Sequence, residues 1–167
     1  AAARPRAAGI RFATFADALD GRDDAGREAF YRALYDAEAP MWEDVPWATP
    51  MPHWTYERFR ALTFESGRLL ADRSILAYDG DRVVGLTTTG RRNDTDGHTW
   101  MTGVGREHRG RGIALALKVD ALSRAKARGT RALLTTNDEP NRAMRGINAR
   151  LGYRMLPAHV QLEKTLA

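Results

Sequence analysis

Residues 104–114 read VGREHRGRGIA, and this stretch decides the fold. The run leading into it, HTWMTGV at residues 98–104, predicts a strand. The run after it carries Ile113, Leu117, Ala121 and Ala125 at four-residue spacing and predicts a helix to about Arg128. A strand that passes through glycines into a helix leaves unpaired backbone N–H groups at the positive end of the helix dipole, which suits an anion. Three phosphate-binding patterns compete for the stretch. Gly105 and Gly110 fit the outer glycines of a P-loop, but Arg111 and Gly112 stand where that loop needs Lys and then Ser or Thr. A dinucleotide fingerprint begun at Gly103 or at Gly110 meets His108 or Leu115 where it needs a small residue. What remains is Arg-x-x-Gly-x-Ala, carried by Arg109, Gly112 and Ala114, with Gly110 as a further small residue.

Outward from this turn the chain alternates strands and helices. GIRFATF at residues 9–15 predicts a first strand, and Phe30, Leu34 and Tyr35 give the segment from Asp24 to Ala37 helical spacing after an acidic start. Pro40, Pro46, Pro50 and Pro52 predict a long irregular connection, after which residues 54–64 resume a helical pattern. Two β-rich runs flank Asp79-Gly80 and predict a hairpin, because Gly tolerates the positive φ of a tight turn. RALLTTN at residues 131–137 predicts a strand and residues 141–151 a short helix, followed by strands at GYRML (152–156) and HVQLEKT (159–165).

Composition narrows the function classes. At 167 residues with 43% apolar content the chain suits one globular domain, and residues 1–8 read as a tail ahead of a domain spanning 9–166. No apolar run approaches the roughly 18 residues of a membrane span. The chain has no Cys, which excludes disulfides and thiolate chemistry and fits a cytoplasmic protein. His53, His98, His108 and His159 are scattered without metal-ligand spacing, so no metal is expected. The net charge of +5 is concentrated: eight Lys or Arg lie between Val104 and Arg131 against Glu107 and Asp120 alone. No aromatic residue interrupts that basic stretch to stack on bases, which argues against a nucleic-acid partner.

The motif at Arg109–Ala114 resembles the acetyl-CoA loop, Gln/Arg-x-x-Gly-x-Gly/Ala, of the GCN5-related N-acetyltransferases. A second block is similar too: TTNDEPNRAMRGINARLGY, residues 135–153, resembles the family's Asn-x-x-(small or Met), short helix and Leu-Gly-Phe/Tyr. The resemblance spans nearly the whole chain. It implies a single-domain α/β fold with a mixed, mostly antiparallel central sheet flanked by helices. The activity implied is acetyl-CoA-dependent transfer to a primary amine of a small molecule or peptide within a ternary complex, with no metal and no membrane partner. By position, the resemblance assigns the pyrophosphate to the backbone of Arg109, Gly110, Arg111, Gly112, Ile113 and Ala114. The pantetheine arm falls to Thr102, Gly103 and Val104, whose Val104 amide faces the thioester carbonyl, and to Asn137, Asn141 and Asn148.

The chain departs from the pattern at one telling place. Many family members carry a Tyr in the short helix to protonate the departing thiolate; here Asn148 takes that position, and an amide supplies no proton at neutral pH. With Met144, this variant resembles the branch of mycothiol synthase and its relatives, which implies a homodimer or a second acetyltransferase domain as partner. A catalytically silent acyl-CoA-binding domain, or one half of a tandem enzyme, is the alternative reading. Glu43 and Asp44, in the proline-broken connection, are the weak candidates for the base that deprotonates the amine. The same connection holds Trp42, Trp47 and Trp54, either an apolar acceptor wall or a cap on the core.

Overall fold

The computed structural model describes residues 9–48 and 51–157. Five strands form one sheet in chain order: β1 (Arg11–Thr14), β2 (Ile75–Asp79), β3 (Arg82–Arg91), β4 (Asp96–Val104) and β5 (Ala132–Thr135). The first three pairings are antiparallel and β4 with β5 is parallel, as a mixed, mostly antiparallel α/β sheet requires. Five α-helices flank it: α1 (Phe15–Leu19), α2 (Asp24–Glu43), α3 (Tyr56–Arg60), α4 (Ile113–Ala127) and α5 (Arg142–Arg150).

Strand alternation sends successive side chains to opposite faces, and two cores result. Leu76, Leu86 and Met101 pack with Phe15, Leu34, Met41 and Phe59 under α2 and α3. Ile75, Ala77, Val84 and Val104 pack with Ile113 and Leu117 of α4 on the other face. The β2–β3 hairpin turns at Gly80, whose φ of 57° only a residue without Cβ adopts at no cost.

Several expectations need correction. Helix α2 runs through Pro40 to Glu43, where four prolines predicted irregular chain from residue 38 onward. Pro40 lies on the solvent face with Asp36, so the carbonyl left without a donor meets water, while Met41 and Trp42 bury the last turn. The first strand is shorter than expected because Thr14 caps α1: its hydroxyl accepts from the Asp17 N–H at 2.9 Å and the Asp17 carboxylate accepts from the Thr14 N–H at 2.9 Å. Residues 54–64 form α3 and then a π-turn at Ala61–Glu65 rather than one regular helix. GYRML forms no strand; Met155 and Leu156 are exposed there and find no sheet neighbour among the described residues. The tail at residues 1–8 and the strand expected at 159–165 lie outside the described residues.

Candidate active site

Strands β4 and β5 part company halfway along. Their pairing stops at Thr99 with Thr135, whereas β4 continues five residues further to Val104, still paired to β3 on its other side. The Gly105 N–H turns toward β3, donating to the Val84 carbonyl at 2.9 Å. By strand alternation the Val104 N–H and carbonyl face the opposite way, into the gap. The Arg109 Nε confirms that direction by donating to the Val104 carbonyl at 3.1 Å. The β3–β4 pairing shifts register at Thr88/Thr89, and there the Thr88 hydroxyl accepts from the Met101 N–H at 3.1 Å.

At the open end of the gap the chain enters α4 through Gly110 (φ 74°) and Gly112 (φ 77°), both in the left-handed region. Nothing lies within 4 Å of where a Cβ would stand on either glycine, so the space above the turn is open. Gly112 is the N-cap and contributes no side-chain acceptor, and no acid stands in the first turn of α4. The first intrahelical bond runs from the Ala116 N–H to the Gly112 carbonyl at 3.0 Å, which leaves the N–H groups of residues 113–115 without a helical acceptor.

The carboxylate of Asp44 braces this loop. It accepts from Arg106 Nε at 2.8 and 3.0 Å and from Arg109 Nη2 at 2.6 Å. The two guanidiniums outweigh the carboxyl's partial burial and hold its pKa down to about 2, so it is ionised at any working pH. His108 Nε2 lies 3.0 Å from Asp79 Oδ2 and ties the loop to the β2–β3 turn. Glu43 is exposed on the last turn of α2.

The three asparagines lie on the other flank of the gap. Asn141 caps α5, its oxygen accepting from the Met144 N–H at 3.2 Å. Asn148 is buried, and its Nδ2 donates to Asn137 Oδ1 at 2.6 Å while its own Oδ1 has no partner. The Ala48 N–H donates to Asp138 at 2.8 Å, which joins the tryptophan-rich connection to this flank. That connection is packed: the Trp42 ring lies 4.8 Å from Trp47, 5.4 Å from Trp54 and 5.6 Å from His53. The Tyr35 hydroxyl donates to the Trp54 carbonyl at 2.7 Å.

Much of the basic stretch is spoken for. Arg124 pairs with Asp120 at 3.2 Å and Arg128 with Asp72 at 2.9 Å, while Lys118 is buried with its ammonium 5.2 Å above the Tyr153 ring. Among the described residues no group of three His, Asp or Glu side chains is disposed to hold a metal ion, and no helix is long and apolar enough to cross a membrane.

A sheet that splays beside a glycine-entered helix is what the resemblance to the N-acetyltransferases implies. The chain matches the Acetyltransferase (GNAT) family over residues 31–153, and it belongs to that family. No curated protein matches it at a significant level. Among solved structures it is similar to a GCN5-related N-acetyltransferase from Sphaerobacter thermophilus, with 27% identity and a TM-score of 0.65. That likeness covers 87% of this chain but 41% of the Sphaerobacter one, so this chain spans about two fifths of its relative. It shares its fold with a diaminobutyrate acetyltransferase from Paenibacillus lautus solved with its substrate and coenzyme A, at 17% identity, TM-score 0.57, covering 85% of this chain and 74% of that one. An aminoglycoside N-acetyltransferase solved with CoA matches at 12% identity and TM-score 0.61 over 94% of each chain.

Two features of this region escaped the sequence reading. The Asp44 brace joins residues 62 and 65 positions apart, which no local pattern signals. Glu38 is buried on α2; it falls four residues after Leu34, on the apolar stripe, and that spacing was the available signal.

Proposed function

We propose that the chain transfers an acetyl group from acetyl-CoA directly to a primary amine of a small molecule or peptide. The unpaired edge of β4 running into the open N-terminus of α4 carries this reading. The residues fit such a co-substrate on three counts: Gly110 and Gly112 leave room above the backbone, the buried Asn148 Oδ1 has an acceptor position to fill, and Val104 turns its N–H into the gap.

Acetyl-CoA brings an acyl group already activated as a thioester, so the protein's work is binding, alignment and proton management. Of the loop assigned at Arg109–Ala114, the backbone N–H groups of residues 110–114 hold the pyrophosphate at the positive end of α4, since the Arg109 N–H already donates to the Arg106 carbonyl. The Val104 N–H points at the carbonyl oxygen that gains charge during attack. Asn148 and Asn137 hold the pantetheine arm as a hydrogen-bonded pair, and Asn141 secures α5 beneath them. Asp44, ionised and doubly paired, serves as the anchor of Arg106 and Arg109 rather than as a base. The wall of Trp42, Trp47 and Trp54 suits an acceptor with an apolar body beside its amine.

Initial rates of thiol release test this reading with acetyl-CoA and an amine varied together. Transfer within a ternary complex gives intersecting double-reciprocal lines; parallel lines would require a covalent acetyl-enzyme and contradict it.

A further inference from the structure

Helix α2 lays a buried stripe of Phe30, Leu34, Glu38, Met41 and Trp42 across the sheet, and Glu38 is its one charged member. Glu38 is 6% exposed, and its carboxyl forms no hydrogen bond or ion pair among the described residues. Met41, three residues further along the same face, touches the splayed strand: its Cβ and Sδ stand 2.9 Å from where a Cβ on Gly103 would lie. Glu38 precedes Met41 by about one helical turn, about 5.4 Å, on the same buried face of α2, the face that also carries Trp42 and is turned to the side of the sheet where Met41 meets Gly103.

A buried carboxyl with no hydrogen bond or ion pair costs stability, and groups held at such a cost cluster at functional sites. We propose that Glu38 is the proton acceptor for the amine that attacks the thioester. The inference rests on the acetyl-CoA reading above. An ammonium group entering under α2 gives one proton to the Glu38 carboxylate, and the freed nitrogen lone pair forms the C–N bond. As the C–S bond breaks, the second N–H proton leaves with sulfur as the CoA thiol, and Glu38 returns its proton to water. The products are the amide, the thiol and one proton.

The surroundings keep the carboxyl protonatable near neutrality. Burial alone pushes it from 4.5 up to about 7. Besides Tyr31 and Tyr35, α2 itself carries Asp24, Arg27, Glu28, Arg32, Asp36 and Glu43; α3 carries Tyr56, Glu57, Arg58 and Arg60 with His53 ahead of it, and Tyr78 lies on β2. Strands β3 and β4 carry charge only toward their ends, at Arg82, Arg91, Asp96 and His98. None of these acts on Glu38 through its charge. The folded-state value lies above the unfolded one. Glu38 therefore favours folding below its unfolded pKa, and that contribution is lost as pH rises to about 7.

The test compares wild type with Glu38→Gln, using benzylamine and hydroxylamine as acceptors. Benzylamine is an ammonium ion at pH 7.5 and needs a base; hydroxylamine is already unprotonated. The expected result is a loss of at least about 100-fold in kcat for benzylamine, with the rise through pH 7 abolished. Hydroxylamine turnover and the KM for acetyl-CoA should stay within about twofold. Folding of the variant is checked by melting: its Tm should exceed wild type at pH 8 and converge on it at pH 4. Unchanged kcat and an unchanged pH limb for benzylamine would overturn the proposal alone. A wild-type chain that binds acetyl-CoA yet acetylates neither amine would overturn the proposal and leave the coenzyme site standing; failure to bind acetyl-CoA would overturn both.

Discussion

Inserting one alanine after Gly110 is expected to weaken acetyl-CoA binding at least about 100-fold while leaving the fold intact. The loop holds its N–H groups in fixed sequence between Arg109, tied to Val104 and Asp44, and Ile113, buried under β4. Both ends are anchored, so an extra residue must bulge between them and turn the intervening N–H groups away from a common point. Hydrogen bonds to a charged acceptor contribute about 1.5–3 kcal/mol each, and misaligning two of them accounts for the loss. Gly110 and Gly112 are exposed and touch nothing with a would-be Cβ, so the insertion disturbs no packing. Calorimetry with acetyl-CoA, beside a melting curve on the same sample, separates the two effects. Unchanged affinity in a folded variant would remove the loop from the site.

Gly90→Ala is expected to destabilise the domain by about 3 kcal/mol, roughly 6–12 °C in Tm. A Cβ there would stand 1.7 and 2.1 Å from atoms of the Trp100 ring, far inside contact distance. The indole cannot yield by a few tenths of an ångström; it must leave its place on the sheet. Trp100 directly precedes Met101 and stands three residues before Gly103 on β4, so the displaced ring also disturbs the strand that borders the gap. Near-UV circular dichroism should therefore change along with Tm. An unshifted Tm with an unchanged aromatic spectrum would contradict the packing described for this strand.

The fold was legible wherever local chemistry and tertiary packing agree. The turn from β4 into α4 is dictated by two glycines whose positive φ a side chain would resist, and it stands where the spacing put it. The β2–β3 hairpin at Asp79-Gly80 likewise follows from its turn residues. Where the two disagreed, packing prevailed. Pro40 removes one helical hydrogen bond, but the burial of Met41 and Trp42 behind it outweighs that loss and carries α2 to Glu43. GYRML has the residues of a strand, yet a strand needs a partner, and none stands beside it among the described residues.

The β4–α4 turn, proposed above as the coenzyme side, was legible because its geometry belongs to backbone and small residues in a fixed order. The acceptor side was not, because it depends on side chains brought together from distant segments. Asp44 illustrates the difference: sequence offered it as a candidate base in the connection, whereas Arg106 and Arg109 close on it from across the loop. Glu38 illustrates the converse, a charged residue whose burial shows only once the α2 stripe of Leu34, Met41 and Trp42 is laid against the sheet.

Calorimetric titration of acetyl-CoA into the purified chain is expected to show saturable binding at one site per chain, lost on inserting alanine after Gly110 and retained in Glu38→Gln. The absence of binding by the folded wild-type chain would contradict the acetyl-CoA reading.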